Sequence, residues 1–82
     1  MKTLFVANLG AKTTEDQVRI AFEIYGVIDS VQIARDPANG ISRGVAFVTM
    51  HDSKTATAMA KSMTGTIIEG RSIRVSLLSR NH

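Results

Sequence analysis

Residues 43–50 read RGVAFVTM, and the way these side chains divide between two faces decides the fold. Side chains alternate across a β-strand, so Ala46, Val48 and Met50 share one face with Gly44, while Val45 and Phe47 share the other with Arg43 and Thr49. Both faces carry apolar side chains. A chain of 82 residues can build one two-layer core but cannot enclose a sheet between two layers of helices. One face of this strand is therefore core. The other, with an aromatic ring beside an arginine, must meet solvent or a partner.

Working outward, the segment TLFVANL (3–9) repeats the pattern, with Leu4 and Val6 on one face and Phe5 and Ala7 on the other. VIDSVQIAR (27–35) predicts a further strand with Val31 and Ile33 inward and Gln32 and Ala34 outward. The turn residues DPANG (36–40) join it to the quoted strand as a long-looped hairpin. Between the first two strands, KTTEDQVRIAFEIYG (12–26) predicts a helix. Thr13 or Thr14 caps it, Glu15 and Asp16 fill its first turn, Val18, Ala21, Phe22 and Tyr25 form its apolar stripe, and Gly26 ends it. DSKTATAMAKSMTG (52–65) predicts a second helix, capped by Asp52 or Ser53, with Ala56, Met59, Ala60 and Met63 as its stripe and Gly65 as terminator. After a turn at Glu69-Gly70, RSIRVSLL (71–78) predicts the last strand, Ile73 and Val75 inward, Arg74 and Ser76 outward. The order βαββαβ implies an α+β, ferredoxin-like fold: a four-stranded antiparallel sheet with two helices on one face. Residues 1–82 form a single domain without repeat or linker.

Composition narrows the function. Hydrophobic residues at 44% against 21% charged, with one proline, describe a folded chain rather than a disordered one. A net charge of +3 is mildly basic and suits a nucleic-acid partner without demanding one. The absence of cysteine excludes thiolate metal sites and disulfides and suits a reducing compartment. The opening MKTLFVANLGA is interrupted by Asn8 and Gly10 and reads as a strand rather than a signal segment, and no stretch approaches membrane-spanning length. A cytoplasmic protein is the expectation.

The quoted strand also carries a motif. Arg43-Gly44-Val45-Ala46-Phe47-Val48-Thr49-Met50 is similar to the RNP1 signature of the RNA recognition motif family, matching five of its seven specified positions and departing at Val45 and Met50. Leu4-Phe5-Val6-Ala7-Asn8-Leu9 resembles the family's RNP2 hexamer without departure. The resemblance covers nearly the whole chain and places the two motifs on adjacent central strands. It implies that the open face binds single-stranded RNA, or single-stranded DNA in its place, by stacking bases on Phe5 and Phe47. Arg43 would then hold a phosphate. Gln32, Arg74, Ser76 and Thr49 would supply hydrogen bonds, and Val45 an apolar contact to the bound nucleotides. Lys2, Arg35 and Arg80 would extend the basic track at the rim. None of the seven acidic residues is expected on this face.

Other readings compete for the same residues. Loss of the aromatic at Val45 keeps open a protein-interaction module that uses the sheet or the helical side. An enzyme would need an anion cradle after the first strand, and NLGAKTT (8–14) offers one glycine and no P-loop motif. No nucleophile-and-base set is present to do covalent chemistry. Asn8 is expected to tie the loop after the first strand through its own backbone, and the methionine stripe to pack the core. His51 has no cluster at ligand spacing, so no metal is expected, nor any cofactor. The sequence thus predicts a monomeric, non-catalytic RNA-binding domain with no membrane partner.

Overall fold

The computed structural model describes residues 1–78. Along the chain it contains β1 (Lys2–Ala7), α1 (Glu15–Glu23), β2 (Ile28–Arg35), β3 (Ser42–Met50), α2 (Ser53–Ser62), β4 (Ile67–Ile68), β5 (Arg71–Ser72) and β6 (Arg74–Leu77). The main sheet runs β2-β3-β1-β6 with every neighbouring pair antiparallel. This is the ferredoxin-like α+β arrangement expected from the sequence, with both motif-bearing strands at its centre.

Each helix begins where its side chains can satisfy the free backbone amides of a first turn. At α1 the cap is Thr14: its hydroxyl accepts from the Gln17 amide at 3.2 Å while the Gln17 side chain accepts from the Thr14 amide at 2.9 Å. At α2 the cap is Asp52, whose carboxylate accepts from the Lys54 amide at 3.0 Å and the Thr55 hydroxyl at 2.9 Å. The end of α1 departs from expectation. Ordered helix stops at Glu23, so Tyr25 falls beyond the stripe and is 56% exposed. Gly26 also has a different role from the terminator foreseen: a Cβ there would come within 2.9 Å of the Thr55 methyl on α2, so the glycine serves close packing.

Leu4, Val6, Ala46, Val48 and Met50 of the central strands pack with Ile33 and Val75 against Val18, Phe22, Ala56, Met59 and Met63. Burying each large side chain of this set stabilises the fold by about 1.5–3 kcal/mol before conformational entropy is counted. All of this lies on the helical side of the sheet. No helix among the described residues is long and apolar enough to cross a membrane.

The last predicted strand proves to be two. Arg71 and Ser72 pair with Ile68 and Ile67 in a separate ribbon, turned by Glu69 and Gly70 at φ 49° and 78°. At Ile73 the chain changes partners. Its amide donates to the Thr66 carbonyl at 2.9 Å and its carbonyl accepts from the Gly65 amide at 2.8 Å, so only Arg74 onward is free to join β1.

Candidate nucleic-acid interface

The register brings the sequence-predicted face together as a row. Phe5 on β1 is paired with Phe47 on β3, Phe47 in turn with Gln32 on β2, and Phe5 with Ser76 on β6. Paired residues in a sheet share a face, so Gln32, Phe47, Phe5 and Ser76 cross all four strands in line. The two rings are half-buried, with centroids 5.6 Å apart and planes tilted by 56°. That tilted contact is a favourable aromatic geometry worth about 0.5–1.5 kcal/mol beyond area. It holds the two rings against each other while both stay partly exposed.

On one side of this row lie Ser30, Thr49 and Thr3, again in register, with the Thr3 and Thr49 hydroxyls 3.1 Å apart. Leu78, whose amide donates to the Thr3 carbonyl at 2.9 Å, follows β6 beside them and is 44% exposed. On the other side Arg74 pairs with Ala7 and is exposed, and Val45 is half-buried two residues from Phe47. Thr3, Ser30 and Leu78 were not singled out in the sequence, although the same alternation that assigned Phe5 and Ser76 to this face assigns them there too.

Arg43 is exposed at the start of β3. The backbone beside it explains the glycine of the motif. Gly44 has φ 78°, its carbonyl accepts from the Leu9 amide at 2.9 Å, and a Cβ would sit 3.0 Å from the Leu9 carbonyl oxygen. Only glycine combines that conformation with so close a crossing of the loop after β1.

The same loop is held from its other side by a contact the sequence did not reveal. Asn8 adopts φ 67° and donates from its side-chain amide to the Ser72 carbonyl at 2.7 Å. Arg71 returns two bonds, from Nε to the Asn8 carbonyl at 3.1 Å and from Nη2 to Asn8 Oδ1 at 2.8 Å. Asn8 does tie the loop, then, but to residues 63 and 64 positions away rather than to its own neighbourhood. Residues 7–9 are consequently flanked by three arginines: Arg74 opposite Ala7, Arg71 on Asn8, and Arg43 next to the Gly44 that binds Leu9.

Two rim residues fall elsewhere. Arg35 is a correction to the basic track: it alternates with Val31 and Ile33 and pairs with Ser42 on the Ala46 side of β3, so it lies on the helical side, where its guanidinium is 3.1 Å from the Glu15 carboxylate on α1 and 3.4 Å from the Gly40 carbonyl. Glu15 is held below the usual carboxylate range, first by the backbone amide at the start of its helix and then by this arginine. Lys2 pairs with Met50 and so starts on the helical side of β1, exposed at the strand's end. Arg80 lies outside the described residues. Among the described residues there is no cluster of three or more potential metal ligands.

Comparison with known proteins agrees with this geometry. The profile of the RNA recognition motif family matches residues 4–74. Human serine/arginine-rich splicing factor 8 is 40% identical over 77 residues, which span 94% of this chain and 27% of that protein. The second RRM domain of yeast poly(U)-binding protein superposes with a TM-score of 0.88 at 27% identity, covering 100% of this chain and 99% of that one. A Sxl-lethal protein/RNA complex does so with 0.83 at 34% identity, over 94% and 47% of the respective chains. With both motifs on the central strands, the βαββαβ order and a profile match spanning most of its length, the chain belongs to the RNA recognition motif family.

Proposed function

We propose that this chain binds short single-stranded RNA on its open sheet face and carries out no catalysis. The observation that supports this best is the Phe5–Phe47 pair: two half-exposed rings in fixed tilted contact, set in a row with Gln32 and Ser76 on a face opposite the helices. Unstacked bases lie on Phe5 and Phe47, Gln32 and Ser76 hydrogen-bond their edges, and Arg43 and Arg74 hold phosphates. Thr49 adds a hydroxyl, and Val45 gives an apolar contact in place of the aromatic that RNP1 specifies there. Similarity to a domain solved in a protein/RNA complex favours this reading. Single-stranded DNA has the same stacking faces and is the natural comparison ligand.

With two stacks and few phosphate contacts, affinity falls in the micromolar range, about −8 kcal/mol. The domain acts as a monomer, and the cytoplasmic setting expected from composition belongs to the same proposal. The test is titration of Phe5→Ala and Phe47→Ala proteins with randomised short RNA, following sheet-face amides by NMR. Each substitution costs about 1–3 kcal/mol of binding and leaves the fold intact. Unchanged affinity in a folded variant, or amide shifts confined to the helices, would overturn the proposal in favour of a protein-interaction module.

A further inference from the structure

The loop between β2 and β3 contains an Asn-Gly step arranged for an intramolecular reaction. Asn39 is exposed, and its side-chain Oδ1 accepts from the Ile41 amide at 2.9 Å. An asparagine bonded to the amide two residues ahead folds its side-chain carbonyl back over the intervening peptide, here the one it shares with Gly40. We propose that Asn39 is a site of spontaneous covalent modification, converting through a cyclic imide with Gly40 to aspartate or isoaspartate, and that this conversion weakens ligand binding at the Arg43 end of the sheet. The effect on binding rests on the RNA-binding reading of the open face; the chemistry stands apart from it.

The reaction needs only water. Solvent hydroxide takes the Gly40 amide proton, and the Gly40 nitrogen attacks Cγ of Asn39. The bond from Cγ to Nδ2 breaks, and that nitrogen leaves as ammonia with a proton returned by water. A second water opens the imide. Cleavage between the Gly40 nitrogen and Cγ leaves aspartate in a normal backbone, while cleavage on the main-chain carbonyl side leaves isoaspartate, with the chain routed through Cγ. One water is consumed and one ammonia released, with no change of oxidation state.

The fold both assists and restrains these steps. The tetrahedral intermediate places its negative charge on Oδ1, the atom that the Ile41 amide already donates to. Gly40 carries no side chain to shield its nitrogen, and nothing lies within 4 Å of where a Cβ would stand. Against this, the Gly40 amide donates to the Asp36 carbonyl at 2.8 Å, and that bond must open before the proton can leave. The opposing influences keep the rate within roughly tenfold of that in an unstructured peptide, the weight of one backbone hydrogen bond.

Conversion places a new carboxylate in the loop four residues before Arg43. Isoaspartate also adds a methylene to the backbone inside the ring closed by the Asp36–Gly40 and Asp36–Ile41 bonds, 2.8 and 2.9 Å long. A unit negative charge within a Debye length of bound phosphates weakens binding by roughly two- to fourfold at low salt.

The test incubates the protein beside the capped peptide DPANGI (36–41) in one mildly alkaline buffer, following ammonia release and the mass and isoaspartate content of the loop fragment. Fresh and aged protein, fresh Asn39→Asp and aged Asn39→Ser are then titrated with randomised short RNA. Expected is conversion at Asn39 within roughly tenfold of the peptide rate. Asn8, followed by Leu9 and bonded to Ser72 and Arg71, stays intact as the internal control. Aged protein and Asn39→Asp bind roughly two- to fourfold more weakly than fresh protein, and aged Asn39→Ser binds as it did when fresh. An intact Asn39 after the peptide has fully converted would overturn the site. Conversion with unaltered affinity would overturn its effect on binding. Failure of the underlying reading is distinguishable, because fresh protein would then bind no RNA while Asn39 still converted.

Discussion

Replacing Gly44 by alanine tests whether the motif glycine serves the backbone rather than RNA. The residue sits at φ 78°, where an L-side chain costs about 1–2 kcal/mol. The new Cβ would also lie 3.0 Å from the Leu9 carbonyl oxygen, a backbone atom. That oxygen cannot retreat freely, because the Leu9 amide is bonded to the Gly44 carbonyl at 2.9 Å, and loosening the bond costs about 0.5–1.5 kcal/mol more. The expected destabilisation is therefore about 2–3 kcal/mol, which for a domain of this size lowers the melting temperature by roughly 10–20 °C. Gly40 provides the control. It has a nearly equal φ of 73° but nothing within 4 Å of a Cβ, so Gly40→Ala carries the backbone cost alone, about 1–2 kcal/mol. Urea denaturation of the parent and both variants separates the two contributions. Equal stability losses at positions 44 and 40 would show that the crossing of Leu9 over Gly44 exerts no constraint, and the explanation of the motif glycine given above would fail.

Val45→Phe, at a half-exposed strand position that accepts aromatics, should tighten single-stranded RNA binding with little change in stability; paired titrations at one salt concentration check it, and equal or weaker affinity in the folded variant counts against a stacking surface. Arg43→Ala should lower the slope of log K against log salt by roughly 0.7, one phosphate's share on a single strand, and a parent slope near zero would exclude the phosphate path altogether. Asn8→Ala removes the bonds to Ser72 and Arg71 and puts alanine at φ 67°; a loss of about 1–3 kcal/mol is expected, with hydrogen exchange quickening in β4 and β5 before the main sheet. Glu15 is depressed in the folded state, so its contribution is complete above the usual carboxylate range and lost as pH falls through its folded value. Acid titrations of stability should accordingly be flatter for Glu15→Gln than for the parent, and identical profiles would show that the contact with Arg35 is idle.

Much of the fold was legible because the two central strands alternate without interruption: Phe5 and Phe47 could be placed on one face from their neighbours alone. Helix starts were legible for a similarly local reason, since a threonine or aspartate cap acts within three residues. What escaped is non-local. Periodicity reports which way a side chain points, not which strand it pairs with, so the change of partner at Ile73 left no trace in RSIRVSLL. Arg35 was misplaced for another reason: the alternation that turned Val31 and Ile33 inward turns it inward too, but its charge at the strand's end was read as a rim feature without regard to that parity. Tyr25 looked like a stripe residue because its spacing from Phe22 fits a helix, yet the helix ends at Glu23. The Asn8–Arg71 pair joins loop and hairpin across the chain, and a single sequence holds no signal for it. Thr3 and Leu78 escaped for a different reason: their placement followed from the pattern, but nothing about their chemistry called for notice.

The bond from Leu78 to Thr3 also settles where attached sequence would be delivered. Because β6 runs antiparallel beside β1, the two strands leave the sheet side by side at the hydroxyl-lined end. The β2–β3 loop, residues 36–41, leaves at the opposite end, near Arg43. The domain therefore has two addressable poles. A second binding module tethered at residue 1 would work beside the threonine hydroxyls, and the same module inserted at Asn39 beside Arg43, each at the millimolar effective concentration of a short linker. Comparing the two fusions on oligonucleotides extended only at the 5′ or only at the 3′ side would read out which extension each pole can reach, without a structure of the complex.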